Sequence, residues 1–301
     1  MAWRVVVINS IAKLDYKMGY LMIRTKEENH RVHIKEISTL IIGSTSVSLT
    51  AYLLTELAEQ KVNVVFCDAK RNPAGLYVSL SGSHDSSRAI RQQIGWTKQS
   101  KEILWQKVIA NKIIGQAAVL DVTGHHKESE KLRKYVEQIE PGDVTNREGH
   151  AAKVYFDALF GMDFIRTDEE NPINAELNYG YSILLSAVAR EIVSNGCITQ
   201  LGIHHDNVFN PWNLACDLME PFRPYIDLQV FHLTHGELDH EKKIKLISVL
   251  NYKIKLNGRD EFFSNALSIY VKNCINYMES QDNKINFPAY ELSSYASDCV
   301  F

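Results

Sequence analysis

The sequence lacks the features that would place the protein in a membrane, in the secretory pathway or among disulfide-bonded proteins. It has no run of about 18 predominantly apolar residues, the length that a membrane-spanning helix needs. Its first ten residues contain only a short apolar run and no small-residue cleavage pattern, so no signal peptide is predicted. The five cysteines are widely separated and form no C-x-x-C pair, which argues against a disulfide framework, a cysteine-rich zinc site and redox chemistry. We therefore expect a cytoplasmic location and no membrane partner.

What is present is the composition of a soluble globular protein with ample material for a core. Hydrophobic residues make up 45% of the 301 residues and charged residues 23%. At about 100 to 200 residues per domain, this length favours two domains over one.

The net charge of -3 hides an uneven distribution. Between Arg88 and Lys112 there are six basic residues and one acidic residue, and the same count recurs between His240 and Arg259. Two basic stretches on an acidic remainder are typical of a protein that binds the phosphate backbone of DNA. The alternative is a pair of solvated helix faces, which charge alone does not distinguish. The residues predicted to contact DNA are Arg88, Arg91, Lys98, Lys101, Lys107, Lys242, Lys243 and Lys245.

The hydrophobic pattern changes from strand to helix along the chain, which predicts an α+β fold. Residues 1–78 contain short alternating or β-branched runs and one stretch with leucines at helical spacing, and they predict a small β-rich dimerisation domain, a β meander plus one strand-helix-strand unit. Residues 79–87 are small and polar and predict a linker. Residues 88–280 carry apolar stripes near the helical period and predict an all-helical catalytic domain. Residues 281–301 predict a loosely held C-terminal tail.

Three details of the helical part follow from the same patterns. We expect one continuous helix over Arg88–Ile114 and a short extended segment over Leu228–His232. A short helix that begins near Pro211 is predicted to end at Pro224, because a proline disfavours helical geometry at the residue before it.

Glu148 is the first candidate for a functional role. Thr145 followed three residues later by Glu148 matches a capping box, in which the carboxylate would only bond to the backbone at the helix start. Helical steps onward from Glu148 reach only apolar positions, which places it on the stripe that faces the core. A carboxylate there needs a partner. A cap, a structural ion pair and a functional group all remain open.

Two further segments carry groups that suit acid-base or metal chemistry. His204 and His205 follow a helix-ending turn, and adjacent side chains point in different directions, so we expect at most one to act. The alternative is a surface loop with two idle histidines. Asp217 and Glu220 are three residues apart on a short helix and would repel each other unless Arg223 or a cation lies beside them.

Together, Glu148, His205 and Glu220 form a set of carboxylate oxygens with a single nitrogen, and Asp217 stands in reserve. This set suits Mg²⁺ or Mn²⁺, and Mn²⁺ tolerates imidazole better, whereas zinc would recruit more cysteine or histidine. A competing zinc site is possible in a short histidine-rich run, although the run matches no recognised metalloprotease motif. Its members are His232, His235, Glu237, Asp239 and His240.

In these three segments the sequence resembles the CRISPR-associated spacer integrases, the endonuclease-like adaptation proteins of CRISPR systems. The motifs that carry the resemblance are Asn146-Arg147-Glu148-Gly149, Gly202-Ile203-His204-His205 and Asp217-Leu218-Met219-Glu220-Pro221-Phe222-Arg223-Pro224. They fall in order with suitable separations, and the last two look most like the variety from type II systems. Many members of the family carry Asp where this chain has Glu220, which offers the same oxygens on a side chain one methylene longer.

The resemblance implies a mechanism and an assembly. It implies that Glu148, His205 and Glu220 hold the divalent metal, with Asp217 helping through water. It also implies a homodimer joined through the β-rich domains, and two such dimers bridged by a small ferredoxin-like CRISPR-associated subunit. The implied substrate is double-stranded DNA, captured as a fragment and inserted into the CRISPR repeat array.

The chemistry expected from the residues is compatible with this activity. A metal held by these side chains could stabilise charge at a phosphodiester attacked by a 3′ hydroxyl or by water. Two alternatives use the same residues differently: a metal-dependent phosphohydrolase of small phosphate esters, and a non-enzymatic DNA-binding scaffold.

Overall fold

The computed structural model describes residues 4–69, 71–77, 79, 83 and 85–292. The first part of the chain is rich in strands, as the sequence predicts, and includes the α-helix α1 (Ala51–Glu59), which Thr50 caps by accepting a hydrogen bond from the Leu53 N–H. Its strands are β1 (Arg4–Ile8), β2 (Lys13–Lys17), β3 (Tyr20–Arg24), β4 (Asn29–His33), β5 (Ile37–Ile42), β6 (Ser48–Leu49), β7 (Asn63–Cys67) and β8 (Pro73–Tyr77).

These strands form two four-stranded sheets. The first has the order β1-β5-β7-β8, in which β5 is parallel to β1 and β7, and β8 is antiparallel to β7. The second has the order β4-β3-β2-β6. Strand β5 is buried along its whole length, as expected of a central strand covered on both faces. Its Leu40 and Ile42 belong to the core of the β-rich part and Ile41 belongs to the core of the helical part, so the first sheet is the wall between two hydrophobic cores.

Strand β8 ends at Tyr77, and the next helix begins at Ser86. Helix α3 passes along the centre of the helical part, where it contacts α4, α5, α8 and α10. Among the described residues, no helix is both long and apolar enough to cross a membrane. The helices are α2 (Ser86–Ile94), α3 (Lys98–Val122), α4 (His126–Val136), α5 (Arg147–Phe160), α6 (Pro172–Ser194), α7 (Asn213–Met219), α8 (Arg223–Phe231), α9 (His240–Ser248) and α10 (Phe263–Glu279).

Three predicted boundaries are wrong. The helix expected over Arg88–Ile114 is two helices, because α2 ends at Gly95 and Thr97 caps a new helix. Pro224 does not end a helix but lies in the first turn of α8, where its missing N–H has no helical partner to lose. The segment over Leu228–His232, predicted to be extended, is the end of α8 and its C-cap.

A β-hairpin and a third strand interrupt the helical part. Strands β9 (Lys253–Leu256) and β10 (Arg259–Phe262) pair across Asn257 and Gly258, whose φ angles are 52° and 73°. Asn-Gly is the preferred pair for such a turn, since both positions need positive φ. Strand β11 (Pro288–Ala289) then pairs with β9.

The described part of the predicted tail begins with exposed residues, 281–284, and then makes contacts with the helical part. The Tyr290 hydroxyl donates to the Pro221 carbonyl at 2.5 Å, and Leu292 is buried. Residues 293–301 lie outside the described residues.

Candidate active site

Glu148 and Glu220 reach the same point from two different elements. Glu148 lies in the first turn of α5, and Glu220 begins the short 3-10 turn between α7 and α8. Glu148 Oε1 is 2.6 Å from the Nζ atom of Lys112 on α3, and Glu220 Oε2 is 2.5 Å from the same atom. Lys112 is 6% exposed and Glu220 is 1% exposed. A buried ammonium therefore lies between two carboxylates.

The start of α5 is fixed by side chains other than Thr145. The Asp143 carboxylate accepts hydrogen bonds from the backbone N–H groups of Arg147 at 2.8 Å and Glu148 at 2.9 Å, and Asn146 Oδ1 accepts one from Gly149. Thr145 Oγ1 has no hydrogen-bond partner within the described part of the chain, so the capping box that the sequence allows is not formed. The Glu148 side chain is free to turn toward Lys112.

The charges in this cluster support one another. Burial alone would lower the pKa of Lys112, but attraction to Glu220 and Glu148 outweighs it and the pKa is raised. Burial alone would raise the pKa of Glu148, but the neighbouring Lys112 lowers it instead. Both groups therefore stay charged at neutral pH. Arg223 completes the cluster, with its Nη2 atom 3.0 Å from Glu220 Oε1.

Asp217 shapes the loop that carries the histidines. Its buried carboxylate accepts hydrogen bonds from the backbone N–H groups of Ile203 at 2.7 Å and of His204 and His205 at 3.1 Å. Its Oδ1 atom is also 2.6 Å from His205 Nδ1, and this hydrogen bond is the main reason that the pKa of His205 is raised. A histidine held by a carboxylate through one ring nitrogen has the other nitrogen available, which is the usual arrangement of a metal-binding histidine.

The two adjacent histidines have different surroundings. The ring of His204 stacks on the ring of buried Trp105, with centroids 4.2 Å apart and planes 3° from parallel. His205 is the one bonded to Asp217. Gly202, just before the histidines, lies very close to the rest of the loop and to Asp217. A Cβ atom there would collide with the His205 carbonyl oxygen and the Asp217 carboxylate.

The residues that the sequence predicts as metal ligands are brought only partly together. Within the described ranges, no three His, Cys, Asp or Glu side chains lie close enough together to hold a metal ion. Even so, two carboxylates converge on one point, where both contact the Lys112 ammonium. Two carboxylates and one oriented imidazole are ligands that suit Mg²⁺ or Mn²⁺.

The competing zinc candidates do not converge. His235 Nδ1 lies 2.8 Å from Oε2 of Glu176, a fully buried residue on α6 whose Oε1 atom lies 3.1 Å from Lys242 Nζ. Asp239 caps α9 by accepting a hydrogen bond from the Lys242 N–H, and His232 is the C-cap of α8. These residues stabilise the junction of α6, α8 and α9.

The first basic stretch borders the histidine loop. Lys98 and Lys101 line a cavity of about 450 Å³ together with His204 and His205. Arg88 and Arg91 are exposed on α2, the preceding helix. That helix is attached to the start of the histidine loop, because buried Gln93 donates to the carbonyls of Ile198 and Leu201.

Other predicted DNA contacts have partners within the chain. Lys107 is exposed, and its Nζ atom lies 5.8 Å from the centre of the Tyr277 ring. On α9, Lys242 pairs with Glu176 as described, buried Lys243 has its Nζ atom 3.3 Å from Asn72 Oδ1, and Lys245 pairs with Glu241 at 2.8 Å. None of the α9 lysines lines the cavity beside His205.

Lys112 is the residue that sequence reasoning missed, since its stretch of basic residues suggests only a charged surface. It lies on the buried stripe of α3 with Val108, Ile109 and Gln116. Like Glu148, Lys112 is a charged side chain on an apolar helix face, and this local feature predicts that it needs a buried partner.

Comparison with known proteins gives matches over most of the chain. Residues 5–264 match the sequence family described as CRISPR associated protein Cas1. A CRISPR-associated endonuclease Cas1 from Neisseria meningitidis serogroup C (strain 8013) is 37% identical over 261 residues, which cover 85% of this chain and 86% of the relative.

Two solved structures are similar in fold. A casposase bound to its integration product superposes with a TM-score of 0.76 at 21% identity and covers 94% of this chain and 93% of its own. A chain of a Cas6-RT-Cas1–Cas2 complex superposes with a TM-score of 0.69 at 18% identity, over 92% of this chain and 35% of its own. At these identities the structural matches show a shared fold.

Proposed function

The chain belongs to the Cas1 family of CRISPR-associated proteins, and from that premise we propose that it is a divalent-metal-dependent DNA endonuclease and strand transferase of CRISPR adaptation. In this role it inserts fragments of foreign DNA as new spacers into the repeat array. Family membership and the endonuclease name of the 37% identical relative support the nuclease activity. The observation that carries the metal-dependent chemistry is the convergence of Glu148 and Glu220 beside a histidine that Asp217 orients.

In strand transfer, a 3′ hydroxyl attacks a phosphodiester of the repeat. A new P–O bond forms as the bond to the leaving oxygen breaks, and the same site with water as the nucleophile gives cleavage. A divalent cation held by Glu148, Glu220 and His205 would stabilise charge on the phosphate oxygens and lower the pKa of the attacking hydroxyl.

The chain's own residues position these groups. Asp217 orients His205 through Nδ1, and Arg223 pairs with Oε1 of Glu220, the oxygen that is not the partner of Lys112. Lys98 and Lys101 place positive charge along the cavity, where the DNA backbone would lie.

Protein partners are part of the same proposal. We propose a homodimer formed through the β-rich part, and a small ferredoxin-like CRISPR-associated subunit that bridges two dimers. The Cas1–Cas2 complex among the structural neighbours supports the second partner. For the first, the β-rich part exposes Ile11, Met18 and Tyr52, large apolar side chains of the kind that mark interfaces. Light scattering should give a dimer for the wild type and a monomer for Ile11→Glu combined with Met18→Glu; an unchanged mass would place the interface elsewhere.

The activity is tested on branched DNA with one labelled strand. We expect cleavage and strand transfer with Mn²⁺ or Mg²⁺, complete loss in EDTA, and recovery when Mn²⁺ is restored. Para-nitrophenyl phosphate should not be hydrolysed under the same conditions. Activity that persists without a divalent cation would contradict the proposal, and so would hydrolysis of the small ester by protein that is inert toward DNA.

A further inference from the structure

The Lys112 ammonium occupies the place that a divalent cation would need. Its Nζ atom is 2.6 Å from Glu148 Oε1 and 2.5 Å from Glu220 Oε2, so it stands where both carboxylates can reach a single ion. A metal ion such as Mg²⁺ takes its oxygen ligands at about 2.0–2.1 Å, closer still. Two cations cannot share this position, because like charges at contact distance repel strongly in a buried site.

The two carboxylates are the charged groups that hold Lys112 in this position. Lys112 is 6% exposed, and its neighbours on the α3 stripe are uncharged. Burying an ammonium in such surroundings is unfavourable unless it is paired. The two glutamates therefore stabilise the lysine, and the lysine in turn relieves the repulsion between the glutamates.

We propose that Lys112 is an internal competitor for the divalent cation: it neutralises Glu148 and Glu220 and must withdraw before a cation can bind between them. This inference rests on the proposed metal-dependent function. Lys112 would thus lower the affinity of the free protein for the metal. Its ammonium needs a new anionic partner after it withdraws, and the substrate that the function brings to the site is a DNA phosphate. Metal and DNA should therefore bind cooperatively, each favouring the other to the same degree.

Lys112, and not Arg223, is the group able to withdraw. Arg223 bonds the other oxygen of Glu220, and its guanidinium lies 4.7 Å from the centre of the Tyr181 ring, which holds its plane in place. A lysine carries a compact charge on a flexible four-carbon stem, so it can exchange partners by rotating that stem.

The test is Mn²⁺ binding to the full-length protein at one fixed pH, measured by the electron paramagnetic resonance signal of free Mn²⁺. Lys112→Met removes the competing charge and keeps an unbranched side chain that is one atom shorter. Lys153→Met is the matched control, because Lys153 is exposed on the same helix as Glu148 and its loss removes an equal charge. We expect K112M to bind Mn²⁺ at least about tenfold more tightly than the wild type, and K153M to bind it like the wild type. Duplex DNA should tighten Mn²⁺ binding to the wild type more than to K112M.

The outcomes separate this inference from the proposed function. K112M that binds Mn²⁺ no more tightly than the wild type would overturn the inference, since a permanent structural ion pair gives that result. If neither protein binds Mn²⁺, with or without DNA, the proposed metal-dependent function fails as well.

Removing Lys112 leaves two carboxylates close together, so folding is followed in parallel through the melting temperature of K112M and of Lys112→Gln. Mn²⁺ should raise the melting temperature of both variants by more than it raises that of the wild type, because the cation replaces the missing ammonium. Variants that Mn²⁺ fails to stabilise beyond the wild type would count against the inference.

Discussion

Two clusters of the helical part each pair a buried glutamate with basic side chains, Glu176 in one and Glu220 in the other. Around Glu176, a single carboxylate faces two basic side chains, His235 at 2.8 Å and Lys242 at 3.1 Å. Each of its oxygens has a basic neighbour, and the cluster joins α6 to α9. This arrangement is typical of a structural ion-pair cluster that stabilises a helix junction.

The second cluster brings two carboxylates to one ammonium, while Arg223 pairs with the other oxygen of Glu220 at 3.0 Å. Glu148 and Glu220 share Lys112, and the neighbouring His205 borders an open cavity. Folding gains little from placing two carboxylates side by side, so a convergence of this kind marks a candidate functional site. What separates the candidate active site from the structural ion pair is the convergence of two carboxylates next to a cavity, because both clusters contain a histidine and a buried glutamate.

The largest expected effect is the loss of activity when one converging carboxylate is neutralised. Glu148→Gln and Glu220→Gln keep the shape of the side chain and remove its charge, so we expect DNA cleavage and strand transfer to fall about 100- to 1,000-fold. Glu176→Gln is the matched change in the other cluster. It should keep the activity of the folded protein while lowering its free energy of unfolding by about 3–5 kcal/mol, because Lys242 loses its buried partner.

Rates on branched DNA and urea unfolding of the same three variants check this contrast. Wild-type rates in Glu148→Gln would remove that residue from the site. Inactive but fully folded Glu176→Gln would show that the distinction between the two clusters is wrong.

Another buried carboxylate, Asp227, extends the comparison, because its hydrogen-bond donors are neutral. Asp227 accepts hydrogen bonds from the hydroxyls of Tyr155, at 3.0 Å, and Tyr181, and burial raises its pKa from 3.8 to about 6. The folded protein then holds this proton more tightly than the unfolded chain does. Its free energy of unfolding should fall as the pH rises from about 4 to about 6, by up to about 3 kcal/mol.

Asp227→Asn should remove this contribution, because the amide does not titrate. The measurement is urea unfolding of the wild type and the variant between about pH 4.5 and about pH 7, the range that spans the raised pKa. A difference in unfolding free energy that is the same at every pH would show that Asp227 is not protonated more readily in the folded state.

These clusters also show which parts of the site a sequence can predict. Glu148 is predictable because its place on an apolar stripe and its position at a helix start are both local features. Lys112 has the same local feature, but its partners lie 36 residues away on α5 and still farther along on the α7–α8 turn. Pairing across such separations depends on how α3 packs, which periodicity does not encode.

The fold shows the same limit. The strands and most helices follow from hydrophobic period, and the Asn257–Gly258 turn carries a signal that would have predicted the hairpin. The prediction at Pro224 is wrong because proline both ends helices and begins them, and only the following residues decide which. The role of Asp217 is not predictable from local sequence, because its partners are backbone N–H groups of a loop 12 to 14 residues away.

The next largest expected effect concerns Asp217, the carboxylate that orients His205. Asp217→Asn should lower DNA cleavage about 10- to 100-fold, as loss of a carboxylate behind a metal-binding histidine usually does. It should also bring the pKa of His205 down toward its ordinary value, because the Asp217 hydrogen bond is the main cause of the raised pKa.

Asp206→Asn, an exposed carboxylate on the same loop, is the control and should leave both quantities unchanged. The His205 pKa is followed by NMR titration. Reduced cleavage in Asp217→Asn with an unaltered His205 pKa would mean that Asp217 acts only by holding the loop backbone.

The smallest expected effect compares the two basic stretches. If Lys98 and Lys101 meet DNA phosphates beside the cavity, replacing both with Gln should reduce the slope of log affinity against log salt on duplex DNA by about 0.9 for each phosphate that is no longer neutralised. Lys245→Gln with Lys255→Gln removes the same charge from the second stretch, where both lysines pair with carboxylates at 2.8 Å and 2.9 Å, closer than the 3.7 Å between Lys98 Nζ and Glu102 Oε1. The slope for this second variant should stay at the wild-type value. Fluorescence anisotropy across a salt series separates the cases: equal reductions would place both stretches on the DNA surface, whereas no reduction in either would make both of them solvated helix faces, as net charge alone allows.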